Sequence, residues 1–130
     1  MTRPLTVMIV DDLAPFRLAA KAVVRRMKGF ELVGEASSGP EAIELADALD
    51  PALVLMDMNM PDMNGIEATR SIVSTHPDVM VILCSTYEAG DLPSDARTSG
   101  ARGYLNKEQL GAETLRKLWE DRNTDGFLLR

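Results

Sequence analysis

The 130-residue sequence is 45% hydrophobic and 26% charged, a balance that suits one soluble domain with its own core. Fourteen basic residues against twenty acidic ones leave a formal charge of −6, which argues against binding nucleic acid or an anionic membrane through the chain's own field. The single cysteine, Cys84, excludes an intramolecular disulfide and suits a reducing compartment. No apolar run reaches the roughly 20 residues of a membrane span, and Met-Thr-Arg-Pro leads straight into a strand-like run rather than a leader, so a cytoplasmic location is expected.

Short apolar runs alternate with longer amphipathic ones, the pattern of a parallel sheet built from β-α units. Strands are predicted at Leu5 to Val10, Phe30 to Ala36, Ala52 to Met56, Val79 to Cys84 and Gly103 to Leu105. The first, third and fourth are almost wholly apolar, as strands covered on both faces must be. Phe16, Ala20, Val23, Val24 and Met27 fall at helical spacing after the first strand, with Gly29 placed to stop the helix. Ser38 to Glu41 reads as a capping box with Pro40 in the permissive first turn, opening a second helix through Ile43, Ala46 and Leu49. A third helix follows Asn64-Gly65 and ends before Pro77, where His76 suits a contact with the helix C-terminus. A fourth helix is expected over Glu88 to Ser99, weakened by Gly90 and Pro93; it reads either as a short, ragged helix or as an element kept loosely packed because it must move. A fifth is expected from about Glu108 to Arg122, burying Leu115, Leu118 and Trp119.

Five such units imply an α/β, flavodoxin-like, doubly wound sheet of five parallel strands in the order 2-1-3-4-5, with helices on both faces. Ligands in such sheets sit at the carboxyl ends of the strands, beside the switch point between the first and third. The residues there are polar. The first strand ends in Asp11-Asp12, the third in Asp57, the fourth in Cys84-Ser85-Thr86, and the fifth is followed by Lys107. A lone Asp-Asp after a strand is commonly a helix cap, and a lone lysine is commonly a solvated charge. All four together are different: converging carboxylates repel unless they take up protons or a cation. Oxygen ligands without histidine or cysteine select Mg²⁺, with Mn²⁺ the alternative. A lysine and a hydroxyl complete what phosphoryl transfer requires. Met56, Met58, Met60 and Met63 are read as packing rather than a soft-metal site, and Cys84 as an inert core residue.

The runs Val-Met-Ile-Val-Asp-Asp, Leu-Val-Leu-Met-Asp-Met-Asn-Met-Pro-Asp-Met-Asn-Gly and Gly-Ala-Arg-Gly-Tyr-Leu-Asn-Lys, with the Ser85 hydroxyl, resemble the receiver domains of bacterial two-component response regulators. The resemblance covers roughly Leu5 to Arg122, making 1–122 a receiver domain and 123–130 a short C-terminal tail. It implies that Asp57 is the phosphoacceptor and that Asp11 and Asp12 form the Mg²⁺ pocket with Asp57 and the main-chain carbonyl of Asn59. It also implies that Ser85 and Tyr104 are the switch residues and that Lys107 contacts the phosphoryl group, with Pro61 and Gly65 shaping the adjacent loop. The phosphoryl donor is expected to be a histidine kinase or a histidine phosphotransfer protein. Phosphorylation is expected to draw Ser85 and Tyr104 inward and to alter the surface made by the fourth helix, fifth strand and fifth helix. The target is an unspecified downstream protein, and a phosphorylation-dependent homodimer fits the same scheme. Such a chain is a switch rather than an enzyme, although it carries its own autophosphorylation and autodephosphorylation chemistry.

Two features depart from the family pattern. Glu108 follows Lys107 where many members have proline, so a cis peptide is not expected there. Tyr87, two residues past Ser85, is expected to shield the acyl phosphate and slow its hydrolysis. The stretch Phe30 to Ile43 resembles receivers attached to a helix-turn-helix domain, so the alternative is a receiver fragment of a DNA-binding transcriptional regulator. The eight residues after Arg122 are too few for an output domain, which needs about 50. Phe127-Leu128-Leu129 is expected to pack on this domain or on a partner. A phosphohydrolase with an aspartyl-phosphate nucleophile is a third reading, disfavoured because Asn59 stands two residues past Asp57 where those enzymes carry a second aspartate.

Overall fold

The strands Leu5–Val10 (β1), Phe30–Ala36 (β2), Leu53–Asp57 (β3), Met80–Ser85 (β4), Gly103–Asn106 (β5) and Leu128–Leu129 (β6) form one sheet in the order β2-β1-β3-β4-β5-β6. Every neighbouring pair is parallel. The computed structural model describes residues 3–130. The helices are Ala14–Arg25 (α1), Gly39–Leu49 (α2), Gly65–Thr75 (α3) and Ala112–Glu120 (α4).

Strand alternation sorts the core into two layers. Val7 and Ile9 face the layer built with Ala20 and Val24 of α1 and with Leu115 and Leu118 of α4. Met8 and Val10 face the layer built with Ala42 and Ala46 of α2 and with Ile66 and Ile72 of α3. β3 and β4 are buried along their whole length, which explains their lack of polar alternation.

Local signals set the helix ends. The Ser38 hydroxyl accepts from the Glu41 amide at 3.2 Å, and the Glu41 carboxylate accepts from the Ser37 amide at 2.9 Å. Asn64 caps α3 by accepting from the Glu67 amide at 2.9 Å. Gly29 takes φ +86° in the turn into β2, a conformation that disfavours other residues.

Three expectations are corrected. No α-helix forms over residues 88–99; two 3₁₀ turns, Ala89–Asp91 and Ser94–Ala96, stand there instead. Pro93 interrupts the helical ladder, and Ala96 is the one buried apolar residue in these turns, so no apolar stripe holds a longer helix to the core. The last helix begins at Ala112 rather than Glu108, after a 3₁₀ turn at Lys107–Gln109. The sheet gains a sixth strand, because Leu128–Leu129 pairs with β5.

Candidate functional site

Sheet register brings the polar strand ends level with one another. Val10 pairs with Met56, Asp57 with Cys84 and Ser85 with Asn106, so Asp11, Asp57, Ser85 and Lys107 emerge along one edge. Asp11, Asp12 and Asp57 each offer a carboxylate oxygen, and these oxygens lie within 4.8 Å of one another. Asp11 and Asp57 are buried and Asp12 is half-buried. One Asp11 oxygen accepts from the Leu13 amide at 2.8 Å, which aims the other into the cluster.

The Lys107 ammonium lies 2.7 Å from Asp11 Oδ2 and 3.1 Å from Asp57 Oδ1. It also stands 4.6 Å from the centroid of the Phe16 ring on α1. Burial, and then the Asp11 charge, push the Asp57 carboxyl from 3.8 up to about 6 against the pull of Lys107. Burial opposes the charge on Lys107, but its hydrogen bond to Asp11 and the Asp57 and Asp11 charges outweigh that and raise its pKa. One ammonium thus pairs with two of three clustered carboxylates. An all-oxygen donor set with surplus negative charge fits a hard divalent cation.

The β3-α3 loop is fixed by backbone. The Met58 amide donates to Cys84 O at 3.0 Å, and the Gly65 amide donates to Met58 O at 2.9 Å. A Cβ at Gly65 would lie 2.0 Å from the Asp57 carbonyl oxygen, so only glycine fits there.

Ser85 ends β4, and Tyr104 lies in the neighbouring strand β5. Ser85 is buried, and its hydroxyl accepts from Asn59 Nδ2 at 3.2 Å. Tyr104, 1% exposed, already lies inward, and its hydroxyl donates to Ser85 O at 2.9 Å and to Tyr87 O at 2.7 Å. Burial pushes its phenol up to about 12, so it remains a donor at physiological pH. Tyr87 is 39% exposed, and it is its carbonyl that joins this network.

Two contributors escape a linear reading. Phe16 looks like core periodicity, and only the fold reveals its ring beneath Lys107. Asn106 looks like a strand terminus, yet its Nδ2 donates to Tyr87 O at 3.2 Å and its Oδ1 accepts from the Glu108 amide at 2.9 Å. Its position directly before the lysine was the available signal.

The remaining singled-out residues have structural roles. Met56, Met58 and Met60 are buried and Met63 packs against them. Cys84 is fully buried, and burial pushes its thiol far up. His76 ends α3, but its ring bonds Asp47 of α2 at 2.8 Å and approaches Asp50 at 3.4 Å, and these contacts raise its pKa. All peptide bonds among the described residues are trans, including that between Lys107 and Glu108.

Residues 7–120 match the family model described as the response regulator receiver domain. The transcriptional regulatory protein DegU of Brevibacillus brevis is 37% identical over 102 residues, covering 78% of this chain and 43% of the relative. The response regulator UvrY of Escherichia coli K12 is 37% identical over 103 residues, covering 79% of this chain and 47% of the relative. Among solved structures, the response regulator domain of Thermotoga maritima CheB superposes with a TM-score of 0.81 at 30% identity, covering 95% of this chain and all of that one. A LuxR-family two-component response regulator from Aurantimonas sp. SI85-9A1 gives 0.84 at 27% identity, covering 98% of this chain and 89% of that one. The chain belongs to the response regulator receiver domain family, the phosphoacceptor switches of two-component signal transduction. It spans about half the length of these curated relatives.

Proposed function

We propose that Asp57 is the phosphoacceptor of this receiver and that its phosphorylation is the signalling event. The observation that carries the reading is the convergence of Asp11, Asp12 and Asp57 within 4.8 Å around one lysine. The carboxylates of Asp11, Asp12 and Asp57 and the main-chain carbonyl of Asn59 would hold Mg²⁺, or Mn²⁺ in its place. Such an ion supplies positive charge to the phosphoryl oxygens and offsets the surplus acidity.

An Asp57 oxygen attacks phosphorus in line, forming the acyl phosphate as the bond to the donor's imidazole nitrogen breaks. The donor is a phosphohistidine of a histidine kinase or a histidine phosphotransfer protein. Lys107, already 3.1 Å from Asp57, neutralises charge on the transferring group. The Ser85 hydroxyl exchanges its Asn59 partner for a phosphoryl oxygen. That movement reaches Tyr104 and Tyr87 through the Ser85 main chain and alters the surface beside β5.

In this reading residues 1–122 are the receiver, 123–130 are its tail, and the protein works in the cytoplasm. A homodimer formed on phosphorylation belongs to the same scheme. A second reading, the receiver portion of a DNA-binding regulator, is favoured by the half-length coverage of DegU, which is named a transcriptional regulatory protein.

The test is phosphorylation by acetyl phosphate with Mg²⁺. Wild type takes up phosphate and Asp57→Asn does not; uptake by the variant at the wild-type rate defeats the assignment. A pull-down with beryllofluoride and Mg²⁺ against untreated protein then identifies the downstream partner.

A further inference from the structure

The side of β5 away from β4 carries an arrangement outside the phosphoacceptor chemistry. Leu128 and Leu129 pair with Gly103 and Tyr104 in parallel register. The Leu128 amide donates to Arg102 O at 3.1 Å, the Arg130 amide to Tyr104 O at 3.0 Å, and the Asn106 amide to Arg130 O at 3.0 Å. Two residues of strand are too few to account for a stable edge by themselves. Side chains supply the remainder. The Arg102 guanidinium gathers the carbonyls of Arg122, Thr124 and Gly126, drawing in the turn before β6. Arg97 lies 5.2 Å from the centroid of the Phe127 ring, and Arg130 binds Asp121 at 2.8 Å. β5 is shaped to receive this segment: a Cβ at Gly103 would fall 2.6 Å from Leu128 O.

We propose that the outer edge of β5 is a strand-docking surface and that Phe127–Arg130 is its built-in occupant, exchangeable for an extended partner segment of the same chemistry. That chemistry is an aromatic and two aliphatic residues followed by a base, added parallel to β5. Phe127 sits against Arg97, the leucines meet the two core layers, and the base meets Asp121. Main-chain pairing supplies the affinity and the side-chain contacts supply the selectivity. The surface exists in the resting chain, so the inference stands whether or not Asp57 is the phosphoacceptor.

The test uses the full chain. In wild type, the amides of Asn106, Leu128 and Arg130 exchange with solvent at least about tenfold faster than those of Leu83 and Leu105, because the strap opens separately from the core. Equal rates mean that the strap is inseparable from the sheet and overturn the proposal. The double variant Phe127→Ala, Leu129→Asp loosens the occupant and leaves the β5 edge and Arg102 unchanged. A labelled peptide with the sequence of residues 124–130 binds this variant at least about tenfold more tightly than wild type and restores protection at Asn106. Equal binding to both proteins overturns the proposal, as does self-association of the variant without peptide uptake, which assigns the edge to a second copy of the chain.

Discussion

Lys107 Nζ lies nearer to Asp11, at 2.7 Å, than to Asp57, at 3.1 Å. The lysine is thus the counter-ion of Asp11 as well as of Asp57. Lys107→Ala leaves three carboxylates without a cation and lowers stability by about 1–3 kcal/mol without added metal. Millimolar Mg²⁺ recovers most of that loss, while phosphorylation by acetyl phosphate stays slow. Denaturant titrations with and without Mg²⁺ check this; equal losses in both conditions reject the counter-ion role.

Asp57 makes stability depend on pH in a defined direction. Its folded-state pKa, about 6, lies above the ordinary 3.8, so the folded protein holds this proton more tightly than the unfolded chain. The contribution is most favourable below 3.8 and is lost as pH rises through about 6. Without metal, Asp57→Asn therefore gains on wild type between pH 5 and pH 7.5, by about 1 kcal/mol because the site opens to solvent on one side. Paired melts at the two pH values measure it, and a constant difference between the proteins contradicts the assigned shift.

Gly65→Ala places a methyl group against the Asp57 carbonyl, which is backbone and cannot step aside. The expected loss is about 2–3 kcal/mol, with slower phosphorylation because the Asp57 end of β3 must shift. Gly90→Ala, where a Cβ meets nothing within 4 Å, is the control and stays close to wild type. Chemical denaturation of both variants separates the two cases.

Tyr104→Phe removes a hydroxyl whose single proton is shared between the carbonyls of Ser85 and Tyr87, leaving Ser85 O without that donor while Tyr87 O keeps the Asn106 side-chain amide. It costs about 1–2 kcal/mol and speeds amide exchange across residues 85–91, whereas Tyr87→Phe leaves that exchange unchanged. Tyr87→Ala shortens the phosphoryl half-life if the exposed ring shields the acyl phosphate. An unaltered half-life assigns Tyr87 a main-chain role only.

Much of this molecule is readable along the chain because the relevant forces are local. The all-apolar runs at Val7–Val10 and Val81–Cys84 specify buried parallel strands, and the Ser38 and Asn64 caps specify helix starts. Asp57 stands out because a carboxylate at the end of a buried strand needs a partner. The tail strand does not stand out. Leu128–Leu129 has too few residues for any period, and its placement depends on Arg102, some 26 residues away. The sequence 88–99 carries its own warning in Gly90 and Pro93, yet the analogy with neighbouring units suggested a helix where none is held. Phe16 and Asn106 act through contacts between distant segments, which spacing alone does not encode.

The pair of 3₁₀ turns between β4 and β5 has a thermodynamic consequence. A three-turn helix in that position would have to surrender a ladder of main-chain bonds before the surface could change shape. Here Ala96 is the one fully sequestered methyl in the two turns, and each turn spans three residues. Rearranging this stretch therefore breaks few main-chain bonds and uncovers little apolar surface, which keeps the free-energy cost of a change in shape low.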